Sequence, residues 1–317
     1  MKKVIIIVAV LALLGVGAFY LLKEKKSDIP VCESGFRLDF GTRTCVPVAG
    51  EDDEVKAQID FTKPEISFSS DSFKFKLMRE GETSKYSAIF DYDGGVTQGS
   101  ATIDSNEAVR VGDEYILVPM HTNFGGSGQF TDIALFNAKS NTYIGSVPVG
   151  DRIGVSKIDV KDMIAKVNYK TRLATEPMVA DPTIPAQLVV EVKSNSLKEL
   201  MRLQNADYSE VEIKSPLANA TVSGNFVLKG SMPGTWYFEA SAPFKIMDDT
   251  YTEVAIGSVQ ALSDWMTTQR VPFEVKLNTA TFNATGKATI IISSENVQGD
   301  DEGARKVKMM QIPVTIK

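Results

Sequence analysis

The chain is short of the side chains that most chemistry needs. Its 317 residues include one histidine, His121, and two cysteines, Cys32 and Cys45. Zinc sites of several His and Cys ligands, iron–sulfur clusters and histidine-based triads are thereby excluded as its main chemistry. Positive charge is not in excess either. With 34 Lys plus Arg against 40 Asp plus Glu the net charge is -6, whereas binding a phosphate backbone takes a surplus of cations. Nucleic acid is not an expected partner. No phosphate loop, dinucleotide fingerprint, internal repeat or low-complexity stretch occurs, so neither metal nor cofactor is expected.

Long apolar runs are scarce, with one exception. Val4 to Leu22 is 19 uncharged, mostly apolar residues, which at ~1.5 Å rise span about 28 Å, close to the hydrocarbon core of a bilayer. Lys2 and Lys3 precede it and Lys23, Lys25 and Lys26 follow. The run predicts a cytoplasmic tail at residues 1–3 and a transmembrane signal anchor at 4–22. A cleaved signal peptide is the competing reading, because Val16-Gly17-Ala18 offers small residues, but Phe19 to Leu22 carries the run past an ordinary signal core. Lipidation would need a cysteine directly after the run, and Cys32 lies ten residues beyond Leu22. Lysines flank both ends, so orientation rests on the remainder of the chain.

Residues 23–60 read as a tether. Cys32 and Cys45 bound CESGFRLDFGTRTC, where Asp39, Gly41 and Thr42 supply turn chemistry. The expectation is a hairpin closed by a disulfide, worth ~3 kcal/mol and lasting only in an oxidising compartment; the alternative is two unpaired thiols. The acidic run Glu51-Asp52-Asp53-Glu54 reads as a solvated spacer, without the spacing of a calcium loop.

Residues 61–193 predict a β domain. Phe73 to Leu77 alternates, and Ser87 to Tyr92, Tyr115 to Met120, Thr131 to Phe136, Ile153 to Val160, Ile164 to Tyr169 and Leu188 to Val192 are rich in β-branched and aromatic residues between turn signals. In residues 194–210 the spacing of Leu197, Leu200, Met201 and Leu203, behind Asn195 or Ser196 as caps, predicts a helical linker. Residues 211–317 suit a β-sandwich of about 100 residues. The class is therefore all-β: an N-terminal transmembrane helix followed by two antiparallel β-sandwich domains.

Catalytic groupings are missing. Ser127 in Gly125-Gly126-Ser127-Gly128 lacks the second glycine of a nucleophile elbow, since Gln129 stands there. His121 is a lone histidine near a strand end, and Asp248-Asp249 and Asp300-Asp301-Glu302 sit in turn-like contexts. No catalytic residue is assigned. The sequons at Asn219 and Asn283 are expected to be chance matches.

Several words in the last third are distinctive. Ile213-Lys214-Ser215-Pro216, Asn219-Ala220-Thr221-Val222-Ser223 and Phe226 to Ser231 are followed by Trp236-Tyr237-Phe238-Glu239-Ala240, Asp264-Trp265-Met266-Thr267, Val271-Pro272-Phe273 and Ile312-Pro313-Val314. In that order they resemble the bacterial spore-germination immunoglobulin-like domain family, about a third of the chain, with Asn296-Val297-Gln298-Gly299 where the family shows Asn-Pro-Ser-Gly. The resemblance implies an immunoglobulin-like second sandwich and an extracytoplasmic, noncatalytic module. Asn123 to Gly128, Gly145-Ser146-Val147, Gly150-Asp151-Arg152 and Glu176 to Thr183 loosely resemble an uncharacterised module of bacterial envelope proteins, which implies no activity.

Read as a strand, Trp236, Phe238 and Ala240 turn to one face, the core, and Tyr237 and Glu239 to the other. Trp265, in a turn beside Asp264, either packs over the sandwich end or offers a stacking platform. Trp236, Tyr237, Glu239, Asp264, Trp265, Asp151 and Arg152 are the candidate binding residues. The expected function is a membrane-anchored extracytoplasmic binding or scaffolding protein of the bacterial cell envelope, noncatalytic, held in the membrane by residues 4–22 and meeting cell-wall polymer or another envelope protein. The alternatives are an envelope hydrolase acting on wall glycan or peptide with carboxylates from Glu239, Asp264 or Asp151, and a spacer without a ligand.

Overall fold

A computed structural model describes residues 36–39, 44–47, 59–67, 74–92, 97–282, 284–295 and 297–317. The chain divides into a unit of residues 1–55 and a unit of residues 56–317. In the first, β1 (Phe36–Asp39) pairs antiparallel with β2 (Thr44–Pro47), Leu38 opposite Cys45. This is the hairpin that the turn residues predict. The 4–22 anchor, Cys32 and the side chain of Cys45 lie outside the described residues. Among the described residues no helix is long and apolar enough to cross a membrane.

The second unit is built from antiparallel strands. After β3 (Ile66–Ser67), β4 (Lys74–Phe75) and β5 (Met78–Arg79) come β6 (Lys85–Tyr92), β7 (Thr97–Asp104), β8 (Val109–Val111), β9 (Tyr115–Asn123), β10 (Phe130–Asn137) and β11 (Thr142–Asp151). They form a sheet in the order β11-β10-β9-β7-β6-β5, with β8 on β9. Ile116 to Met120 in β9 is a continuous apolar run with every residue buried, as a strand covered on both faces requires. Ile116, Val118 and Met120 meet Phe61, Phe90 and Phe136 on one side, while Leu117 meets Ile133 and Val149 on the other. Residues 59–67 and 74–77 close the first side, where Phe61 sits edge-on to Tyr86 and Phe136 with centroids 5.3 and 5.1 Å away.

The second face of this sheet packs on another. β12 (Val155–Lys161), β13 (Ile164–Thr171), β14 (Ile184–Val192) and β15 (Leu197–Gln204) follow in order, and Ala165, Val167, Leu188 and Val190 meet Leu117, Ile133 and Val149 to complete a sandwich. The sheet continues beyond it. β15 pairs with the last strand, through Arg202↔Gln311, Leu203↔Met310 and Gln204↔Met309.

The remaining elements are β16 (Glu212–Ser215), β17 (Thr221–Val222), β18 (Asn225–Pro233), β19 (Ser241–Asp248), β20 (Glu253–Ala261), β21 (Arg270–Asn278), β22 (Gly286–Ser293), the short helix α1 (Asp301–Lys306) and β23 (Met309–Ile316). From β15 the order runs β23-β22-β19-β20-β21-β18-β16, with β17 parallel to β23. β20 and β21 share only two residue pairs, so the sheet folds there and closes over Leu228, Trp236, Phe244, Phe273, Ile290 and Ile312. This is an immunoglobulin-like sandwich. Its core also takes Val189 from β14, the one residue of that strand's second face to join it, between Gln187 and Glu191.

The helical linker expected at 194–210 is therefore corrected to a strand. The register steps from Val189↔Met201 to Val190↔Glu199, leaving Leu200 as an inserted residue. One extra residue changes the parity of a strand, so Leu197 faces one core and Met201 and Leu203 the other. The helix-like spacing is the imprint of that bulge.

The bulge also puts Glu199 and Arg202, three apart, side by side. The guanidinium donates to Glu199 Oε1 and Oε2 at 2.9 and 2.8 Å and, across the sandwich, to Val149 O at 3.1 Å and to Pro148 O. Nearby, burial pushes the Asp132 carboxyl up to about 6, against a Ser146 hydrogen bond and the Arg202 charge. The fold thus holds this proton more tightly than the unfolded chain, and stability falls as pH rises from about 4 through 6. Asp132→Asn is expected to stabilise the chain at pH 7.5 by about 2 kcal/mol, with a smaller difference at pH 4.5. Urea midpoints at both pH values check this, and an unchanged or lower midpoint at pH 7.5 contradicts it.

Candidate functional site

A concavity forms where the first sandwich hands over to the second. After β15 the chain turns at Asn205 (φ 52°) and is pinned at Asp207. That carboxylate accepts from the Ser209 N–H and hydroxyl at 2.9 and 2.7 Å and from Lys166 and Gln187 at 3.1 Å each. Burial raises its pKa, but these bonds outweigh it and hold the group well below the usual carboxylate range. The Tyr208 N–H donates to Gln187 Oε1 at 2.9 Å. Pinned this way, residues 208–218 stand as a wall beside the outer face of β13, β14, β15 and β23.

Between wall and sheet lies a groove of about 790 Å³, within the range of ligand sites. Its floor is Ile164, Leu200, Met201 and Ile312, and its wall carries Tyr208, Val211, Ile213, Leu217 and Ala218. Charges ring the mouth. Asp159 is engaged by Lys157 at 2.6 Å and Asn168 at 3.0 Å, and Glu212 by Lys214 at 3.7 Å. Among the described residues the side chains of Lys161, Lys193, Arg270, Asp162 and Glu191, all on the groove, make no ion pair or hydrogen bond. Leu217 is 64% exposed.

Sequence reasoning missed this site. Its residues come from strands far apart in the chain, and the segment that builds its wall follows the one read as a helix. The available signal was Ile213 and Leu217 around Pro216, apolar residues at the start of a domain.

The predicted binding residues fall in two other places. Gly234 begins a 3-10 turn, Gly234–Trp236, tucked against the Asp264 turn so closely that a Cβ there would stand 2.1 Å from Trp265 O and 2.3 Å from Thr267 O. Trp236 is 1% exposed, in the core as expected. The alternation predicted for residues 236–240 is corrected. Tyr237 is also buried, its hydroxyl donating to Val271 O at 3.1 Å, and burial pushes its pKa up. Phe238 is 43% exposed, and Glu239 and Ala240 adopt φ of 48° and 61°. These residues form a tight turn, with Phe238 and Ser241 exchanging backbone bonds of 2.8 and 3.0 Å, so two-residue alternation does not apply.

Trp265 is half-buried against the core and with Tyr237, Thr235 and Met266 lines a shallow hollow of about 410 Å³. Asp264 Oδ1 accepts from the Met266 N–H at 3.0 Å, and Glu239 is exposed on the neighbouring turn. The structure thus brings Tyr237 and Trp265 together and sends Trp236 inward.

Asp151 and Arg152 form a knot at one end of the first sandwich. Arg152 (φ 52°) donates to Ser127 O at 2.6 Å, Ser127 Oγ at 3.2 Å and Met178 O at 3.3 Å. Asp151 Oδ1 accepts from the Gln129 N–H at 2.8 Å, and Arg172 donates to Asp151 O, Arg152 O and Ala180 O at 3.2, 3.2 and 3.1 Å. The Gly-rich loop is wound about Asn123, whose amide donates to Gly126 O at 2.9 Å and Gly128 O at 2.7 Å. Ser127 is a loop serine held by Arg152. The same region is clasped to α1, because Glu176 pairs with Arg305.

His121 Nδ1 lies 3.0 Å from Thr131 Oγ1, which donates to Ile153 O at 2.6 Å. The hydroxyl proton is committed to Ile153, so Nδ1 carries its own proton and donates. Among the described residues no group of three or more His, Cys, Asp or Glu is placed to hold a metal ion.

No curated protein and no solved structure matches the chain. Residues 210–300 match the profile of the immunoglobulin-like domain of bacterial spore germination, Gmad2, the family whose words open at Ile213.

Proposed function

We propose that the chain is a membrane-anchored, extracytoplasmic binding or scaffolding protein of the bacterial cell envelope, without catalysis of its own, that offers the groove beside residues 208–218 to a partner. Residues 4–22 are its anchor, Cys32 and Cys45 staple the hairpin near the membrane, and the partner is wall polymer or another envelope protein. The observation that carries the reading is the groove: an apolar floor, a charged mouth of which five side chains are uncommitted among the described residues, and walls fixed to a continuous sheet. Pre-formed concavities with apolar linings and a few polar groups are what binding sites consist of. The match to an immunoglobulin-like domain supports the same reading. Of the carboxylates a hydrolase would draw on, Asp264 caps its own turn and Asp151 is held by Gln129 and Arg152, which leaves Glu239, exposed on its turn.

The test is protease treatment of intact cells combined with retention of the full chain on sedimented envelope fractions. The body is expected to be digested from outside, and Leu217→Glu, a change at an exposed position, to lower retention at least tenfold. A protected body, or retention indifferent to Leu217→Glu, contradicts the reading.

A further inference from the structure

Two strands end the twelve-stranded sheet, β12 and β16. An end strand presents unpaired N–H and C=O groups along one side. Among the described residues β16 is bonded to β18 alone. No residue of β18 lines the groove, whereas Glu212 and Ile213 of β16 do. β16, a strand with one unpaired side, therefore lines the groove.

The charges narrow what fits. Glu212 and Asp159 are already accompanied by Lys214 and Lys157. Of the mouth residues without a partner among the described residues, Lys161, Lys193 and Arg270 are cations and Asp162 and Glu191 anions. The lining as a whole carries four carboxylates and four cations, Lys166 being paired with Asp207, and among the groups without a partner cations lead by three to two.

We propose that the groove takes an extended acidic peptide, which adds as a strand to the free edge of β16, sets alternate side chains on Leu200, Ile213 and Leu217, and turns its carboxylates to Lys161, Lys193 and Arg270. This rests on the binding reading above. The backbone of β16 supplies hydrogen bonds, and the alternation of an extended chain supplies one apolar and one charged row. The four residues of β16 span about 13 Å, enough for a short stretch of partner strand.

The experiment uses the full chain in mild detergent and a fluorescein-labelled hexapeptide of alternating valine and glutamate, followed by fluorescence anisotropy. A valine–lysine version tests charge. Two versions N-methylated on every second residue, in either phase, each remove the N–H groups along one edge. The acidic peptide is expected to bind, and the lysine version to bind at least tenfold more weakly. One N-methylated phase is expected to lose at least tenfold while the other binds as before. Arg270→Glu, at an exposed position, is expected to weaken the acidic peptide at least tenfold with an unchanged circular dichroism spectrum. Equal binding of both N-methylated phases, indifference to peptide charge, or no peptide binding overturns the proposal. If wall glycan is retained through the groove and lost in Leu217→Glu while no peptide binds, the peptide inference falls and the binding reading stands; if neither is retained, both fall.

Discussion

Arg202→Ala is expected to destabilise the chain by about 3 to 5 kcal/mol, and to do so for both sandwiches together. Arg202 stands on the strand common to the two bodies. It neutralises Glu199 with two parallel bonds and satisfies two carbonyls, of Pro148 and Val149, in the edge strand of the opposite sheet. Removing the guanidinium leaves a carboxylate whose side chain is only 23% exposed and two carbonyls without their donor, and the cost is that of stranded polar groups, more than of a missing attraction. The double variant Glu199→Gln with Arg202→Met is therefore expected to recover most of the loss. Urea denaturation of the single and double variants checks this. A double variant as unstable as Arg202→Ala would show that the carbonyl bonds, and not the stranded charge, dominate.

Gly234→Ala is expected to cost about 3 kcal/mol, the upper part of the usual range for overpacking. An added methyl would meet Trp265 O at 2.1 Å and Thr267 O at 2.3 Å. Both are backbone atoms and cannot step aside as the end of a flexible side chain would. The turn carrying Trp265 has to move outward, so tryptophan emission is expected to shift to the red although Trp236 remains buried. A variant within about 0.5 kcal/mol of the parent, the range of an ordinary surface change, contradicts this.

Much of the fold was legible in the sequence because burial on one or both faces writes itself into the pattern. The run from Ile116 to Met120 and the alternation in β13 each have one geometric cause, and the six strands read between Ser87 and Val192 each fall on an observed strand, while β7, β8 and β11 were not read. The family words starting at Ile213 located the immunoglobulin-like half. The failures share a physical origin too. Around Leu200 a single inserted residue shifts the parity of β15 and imitates a helical stripe, concealing that the two sandwiches are joined by pairing. At Trp236 to Ala240 a glycine approach and two left-handed residues replace the strand, which a two-residue period cannot signal. Only part of the candidate site was readable. Tyr237 and Trp265 do meet, and Asp151 and Arg152 are close, but as a knot that ties Ser127 and Met178 into one end of the sandwich. The groove was invisible because Lys161, Lys193, Ile213, Leu217 and Arg270 are neighbours only once β15 and β23 have paired.

The central claim is that residues 56–317 behave as one body through β15. Both tryptophans, Trp236 and Trp265, lie in the immunoglobulin-like half, so their fluorescence reports that half alone, whereas far-ultraviolet circular dichroism reports strands of both. Urea unfolding of the full chain followed by the two signals on the same samples tests the claim directly. The account predicts coincident transitions with one midpoint. A dichroism change that separates into two steps, only one of them shared by the fluorescence, would contradict it.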